Sequence, residues 1–94
     1  MNSAVLQRQH CIFSGRVQGV GFRYTVQNLA LQYDVTGYVH NMDDGRAELV
    51  LEGPDEEMAS LIDDIRHKMN AYIKKVDIQI THATGQFTCF CIRH

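Results

Sequence analysis

The apolar residues of this chain recur at two spacings that alternate along its length, and no other feature restricts the fold as tightly. Cys11 and Phe13 alternate with His10 and Ile12, the period of two expected of a strand with one buried face. From Phe22 the spacing lengthens: Val26, Leu29, Ala30 and Tyr33 follow at offsets of four, seven, eight and eleven, which is one stripe of a helix. Val35 to Met42 returns to β-branched and aromatic residues, and in Ala47 to Glu52 the side chains of Ala47, Leu49 and Leu51 oppose Glu48 and Glu52. Asp44-Gly45 between these runs is a hairpin turn signal.

A second helix is marked at both ends. Gly53-Pro54 precedes Asp55, Glu56 and Glu57; proline suits the first helical position and carboxylates suit the positive end of the macrodipole. Met58, Leu61, Ile62, Ile65 and Met69 form its buried stripe, and Arg66, His67 and Lys68 lie toward the negative end before Asn70. Val76, Ile78 and Ile80 then alternate with polar residues, Gly85 turns the chain, and Thr88, Phe90 and Ile92 alternate with Cys89 and Cys91. These last two runs suit a second hairpin. The order is strand, helix, strand, strand, helix, strand, plus a short extra strand. It matches an α+β, ferredoxin-like split βαβ sandwich: an antiparallel sheet with two helices on one face. A single domain over residues 1–94 is expected, with residues 1–8 as a flexible N-terminal segment.

The 94 residues, 45% of them hydrophobic, suffice for one core without metal or disulfide staples. A net charge of -2 with acids and bases interspersed leaves no broad basic face, which weighs against nucleic acid and anionic membranes as partners. Met1 to Arg8 holds too short an apolar run for a secretory signal, and nothing approaches the ~20 apolar residues of a membrane span. A cytoplasmic monomer is expected. Cys11, Cys89 and Cys91 are an odd set, and the late pair has one residue between its members where redox and zinc motifs have two, so reduced structural thiols are the default reading. If 87 to 93 is a strand, Cys89 and Cys91 share one face. His10, His40, His67, His82 and His94 follow no metal-binding pattern, and neither metal nor cofactor is expected.

In Gly15-Arg16-Val17-Gln18-Gly19-Val20-Gly21-Phe22-Arg23, three glycines join the first strand to the first helix. Convergent backbone N–H groups and the helix dipole suit such a loop to a phosphate-sized anion, while a tight structural turn would use the same glycines. The segment lacks the Gly-Lys-Ser/Thr of a P-loop, and Tyr24 stands where the dinucleotide motif has its third glycine. Arg23 adds a signal of a different kind. It is a cation in the first turn of a helix, where the macrodipole opposes positive charge. Either a ligand's negative charge compensates it, or an exposed arginine is tolerated at a cost of ~0.3–1 kcal/mol. Its planar fork can meet two oxygens of one phosphate.

Gly15 to Arg23 resembles the signature of the acylphosphatases, and Gly37-Tyr38-Val39-His40-Asn41-Met42 followed by Asp44-Gly45 resembles their second signature. The similarity runs from about Cys11 to Ile92 and includes Glu52-Gly53-Pro54 and the closing Phe90-Cys91-Ile92-Arg93-His94. Tyr38 stands where tryptophan is usual, and Met69 to Ile73 replaces a proline-containing connection; neither is expected to touch the chemistry. The resemblance implies a hydrolase of acyl phosphates, the mixed anhydrides of carboxylic and phosphoric acid. In it Arg23 binds the phosphate with the Gly15 to Phe22 loop, and Asn41 positions the attacking water. No metal is needed, and inorganic phosphate is product and inhibitor.

Such a substrate releases a carboxylate whose conjugate acid has a pKa of about 4, so the leaving group needs no general acid. What remains is to spread charge on the phosphoryl oxygens and place one water in line with the P–O bond. Asn41 also reads as a residue leading into the hairpin turn, and Asp43 and Asp44 read as turn formers rather than a general base or magnesium site. Two other functions share these features. One is a non-catalytic anion- or partner-binding module. The other is an RNA-recognition domain of the same element order, disfavoured because Gly19-Val20-Gly21-Phe22 follows strand one instead of lying in strand three.

Overall fold

The computed structural model describes residues 6–94. Its elements are β1 (Leu6–Gly15), α1 (Phe22–Ala30), β2 (Thr36–Asn41), β3 (Ala47–Pro54), α2 (Asp55–Lys68), β4 (Ile73–His82) and β5 (Phe90–Arg93). One sheet runs in the order β4-β1-β3-β2-β5. Within it β1 is antiparallel to β3 and β4, and β2 is antiparallel to β3. Leu6, Gln7 and Arg8, expected to be flexible, belong to β1, where Leu6 pairs with Pro54 and Arg8 with Glu52. Residues 1–5 of that expected segment lie outside the described residues.

The core lies between one face of the sheet and the two helices. Phe22, Val26 and Ala30 of α1 and Met58, Leu61, Ile62 and Ile65 of α2 meet Cys11, Phe13, Val39, Leu49 and Leu51 from the strands. This is the stripe-on-alternation packing that the two periodicities require. α1 ends at Ala30, short of Tyr33, because the chain tightens into i→i+3 bonds from Gln32 N–H to the Leu29 carbonyl and from Tyr33 N–H to the Ala30 carbonyl. Tyr33 still packs at the core's edge, and its hydroxyl donates to the Asp64 carboxylate of α2. Pro54 caps α2 from outside with an extended backbone instead of filling its first position. Along β4, Val76 reaches the core, but Ile78 and Ile80 are 39% and 55% exposed, since neither helix covers that end of the edge strand.

The second expected hairpin does not form. β4 and β5 occupy opposite edges, and β5 lies parallel to β2, so the sheet is mixed rather than antiparallel. The connection between them is held by a buried carboxylate. Glu52 of β3 accepts hydrogen bonds from the Thr84 and Gly85 backbone N–H groups (3.0 and 2.8 Å), the Thr84 hydroxyl (2.7 Å) and Arg8 Nε (2.8 Å). Desolvation pushes this carboxyl up, but the bonds from Thr84, Gly85 and Arg8 outweigh it and bring it to about 2. No described helix is long and apolar enough to cross a membrane.

Candidate active site

Three apolar anchors close the loop between β1 and α1. The rings of Phe13 and Phe22 pack 5.1 Å apart at 59°, and Val17 midway between them in sequence is fully buried. The chain can turn this tightly because of Gly15, whose φ is 128°; a Cβ there would collide with the Tyr72 carbonyl. The same carbonyl accepts the Arg16 backbone N–H at 2.9 Å. The Met69 to Ile73 connection, expected to be remote from the chemistry, therefore braces the loop at its start. Gly21 caps α1 in the left-handed region (φ 79°) and offers no side chain to its amides, and α1 has no acid in its first turn. The first helical bond runs from Thr25 N–H to the Gly21 carbonyl (3.0 Å), so the amides of Phe22, Arg23 and Tyr24 lack helical acceptors. A helix start left in this condition favours an anion.

Arg23 and Asn41 line one cavity there. It has a volume of about 200 Å³ and is lined by Val17, Gly19, Gly21, Phe22, Arg23, Tyr24 and Asn41. Since a water occupies roughly 30 Å³, the space admits a phosphoryl group and a water together. The other loop residues lie apart from it. Gly15 and Arg16 line a separate depression with Ala71, Tyr72 and Lys74, and Val20 packs against the core. The Gln18 carboxamide donates to the Met42 carbonyl (2.7 Å) and the Arg46 carbonyl (3.0 Å), tying the loop to the β2–β3 turn. Its side chain is thereby committed to bracing the loop and does not line the cavity.

Asn41 is the last residue of β2, paired with Ala47 across the hairpin. The turn beyond it is formed by Asp44, whose carboxylate accepts Arg46 N–H (3.1 Å) and Arg46 Nε–H (2.9 Å); the Arg46 side-chain bond leads in holding that carboxyl below its usual range. Asn41 is therefore a strand residue and is not consumed by the turn. Its Oδ1 is buried and has no hydrogen-bond partner among the described residues. Leaving such an acceptor unpaired costs ~1–3 kcal/mol, an expense that a water in the cavity would remove. Arg23 is half-buried, and its Nη1 donates to His94 Nδ1 at 3.3 Å.

Gln18 and His94 were not legible as partners from spacing: one contacts backbone carbonyls and the other comes from the far end of the chain. Tyr38 faces away from the cavity, its hydroxyl 3.4 Å from Glu48 and the Arg93 guanidinium 3.7 Å over its ring, so its replacement of tryptophan does not line the site. Among the described residues no three His, Cys, Asp or Glu side chains gather as metal ligands. A larger cavity of about 530 Å³ lies at the other end of β1, by Leu6 and Pro54; it presents Asp34 and Glu52 and no cation, which makes it hostile to a phosphate.

Known proteins resemble this chain along nearly all of its length. A profile of the family described as acylphosphatase matches residues 9–92. An acylphosphatase of Bacillus velezensis is 40% identical over 86 residues, which cover 90% of this chain and 96% of that protein. One from Salinibacter ruber is 36% identical over 94 residues, covering 99% of each. The crystal structure of acylphosphatase from Bacillus subtilis superposes with a TM-score of 0.85 at 30% identity, covering 94% of this chain and 99% of that one. With the ferredoxin-like α+β fold and the loop already in place, these likenesses show that the chain belongs to the acylphosphatase family.

Proposed function

We propose that the cavity at the start of α1 holds the phosphoryl group of an acyl phosphate, and that Arg23 and Asn41 carry out its hydrolysis. The observation that supports this reading is that Arg23 of α1 and Asn41 at the end of β2 both line one cavity with residues of the glycine loop. Arg23 and the amides at the start of α1 take the phosphoryl oxygens and offset the charge that develops on them. The Asn41 Oδ1 accepts a hydrogen from a water, aiming its lone pair at phosphorus opposite the departing carboxylate. The new P–O bond forms as the bond to the carboxylate breaks. The carboxylate leaves unprotonated, and the two water hydrogens end on inorganic phosphate. Neither half of the step calls for a metal, because the guanidinium and the amides supply the stabilisation that a metal would provide. All proposed groups come from one chain, so a monomer suffices. Three free cysteines suit the reducing cytoplasm.

The test is hydrolysis of benzoyl phosphate by the purified protein, followed by ultraviolet absorbance with a chelator present and inorganic phosphate varied. The expected result is turnover that survives chelation, with phosphate raising the apparent KM and leaving kcat unchanged. Turnover abolished by chelator and restored by magnesium or zinc refutes the metal-free mechanism. Noncompetitive phosphate inhibition moves the anion site elsewhere, and phosphate binding without turnover favours a non-catalytic anion-binding module.

A further inference from the structure

Cys89 and Cys91 have no part in that reaction, yet their sulfur atoms lie 3.3 Å apart. Both are exposed, whereas Cys11 is fully buried and burial pushes its thiol up to about 12. One residue separates the pair. Phe90 and Ile92 between and beyond them pack against the core, so the two thiols share the outward side of the chain. In a regular strand, residues two apart are separated by roughly 6.5 Å at Cα, and small side chains there do not ordinarily touch. Here the chain bends at Thr88 and Cys89 just before β5, which brings the sulfurs together. The bend is fixed to the neighbouring strand, since the Cys89 carbonyl accepts the Gly37 N–H at 3.0 Å.

We propose that Cys89 and Cys91 are a reversible redox site, in which a peroxide converts the dithiol to an intramolecular disulfide and glutathione reduces it again. One thiolate attacks a peroxide oxygen; the O–O bond breaks, a sulfenic acid forms and one water is released for hydrogen peroxide. The second thiol attacks that sulfur, the S–O bond breaks, and the disulfide forms with loss of a second water. Two electrons pass from the thiols to the peroxide. The sulfurs need only close from 3.3 Å to a bonded ~2.05 Å, within reach of small side-chain rotations. Both sulfurs are exposed, and a disulfide in an exposed position is of the kind that is readily reduced. Labile bonds of this kind are the ones that persist as switches in a reducing compartment.

The experiment treats the folded protein with hydrogen peroxide, then counts thiols with a chromogenic disulfide and maps the oxidised residues by mass spectrometry. The native protein is expected to lose both reactive thiols, keep Cys11 reactive after denaturation, and yield a monomeric peptide over residues 87–93 lighter by two hydrogens. Glutathione should restore both thiols. Cys89→Ser and Cys91→Ser should each stay monomeric until glutathione disulfide is added and then take up one glutathione. The proposal is overturned if the parent keeps its thiols. Loss of those thiols through dimers, or as sulfinic and sulfonic acids, overturns it as well. So does a disulfide that resists glutathione.

Discussion

Replacing Gln18 with alanine isolates what the loop's brace contributes. The carboxamide spans from the loop to two carbonyls of the β2–β3 turn, at 2.7 and 3.0 Å, and it touches neither the anion position nor Asn41 itself. Two such bonds on an exposed side chain contribute ~0.5–1.5 kcal/mol each at most, and water replaces them in the variant, so the stability loss should be about 1 kcal/mol. The effect on rate should be larger. Asn41 precedes Met42 directly, so the Gln18 bond to the Met42 carbonyl ties the loop to the residue next to Asn41, the amide proposed to hold the water. A displacement of ~1 Å in such an arrangement costs up to a hundredfold in rate, so kcat on benzoyl phosphate should fall ~10–100-fold. Steady-state kinetics paired with urea unfolding measure both quantities on one preparation. A kcat within twofold of the parent refutes the bracing role, and so does a rate loss no greater than the loss of folded protein.

Other expectations bear on the site and its supports. Arg23→Lys keeps the charge but loses the planar fork, and should cost on the order of a thousandfold in kcat with the circular dichroism spectrum unchanged; activity within a few-fold removes Arg23 from the mechanism. Asn41→Ala should lower kcat about a hundredfold while leaving the phosphate inhibition constant nearly unmoved, whereas parallel losses would assign Asn41 to the anion. Glu52, held at about 2 against an ordinary 4.5, stabilises the fold fully above pH 4.5 and loses that contribution as pH falls toward 2. Glu52→Gln should therefore be less stable by ~2 kcal/mol at neutral pH in urea titrations, with the gap closing on acidification; a pH-independent gap refutes the charge's role.

The helices and the order of elements were legible because periodicity reports which side chains are buried together, and the stripes from Val26 and from Met58 carried that information locally. Pairing was less legible. Gly85 between two alternating runs is the pattern of a hairpin, but the runs are separated in space by three strands, and the reason is the set of bonds converging on Glu52, which leaves no trace in spacing. Arg23 stood out because it breaks the dipole preference that α2 obeys. Asn41 was ambiguous until its strand pairing with Ala47 and the Asp44-centred turn were seen to be separate. The Gln18 carboxamide goes to backbone carbonyls and Tyr72 braces the loop with its own backbone carbonyl, a group every residue possesses, so no side-chain pattern can announce these contacts.

The placement of β1 inside the sheet, between β4 and β3, bears on how the chain comes to be folded. Gln7 pairs with Gly53 on one side and with His82 on the other, so the first strand acquires its second neighbour only after most of the chain exists. Contacts of such long sequence separation must overcome a large loop-closure entropy before they are rewarded, which slows folding relative to helical proteins of this length. On a ribosome, β1, β2 and β3 emerge with β1 as an unprotected edge, its Cys11 and Phe13 side chains waiting for α2 and its backbone waiting for β4. An emerging chain can thus contain Arg23, Asn41 and the whole glycine loop and still lack the sheet that sets the distance between them.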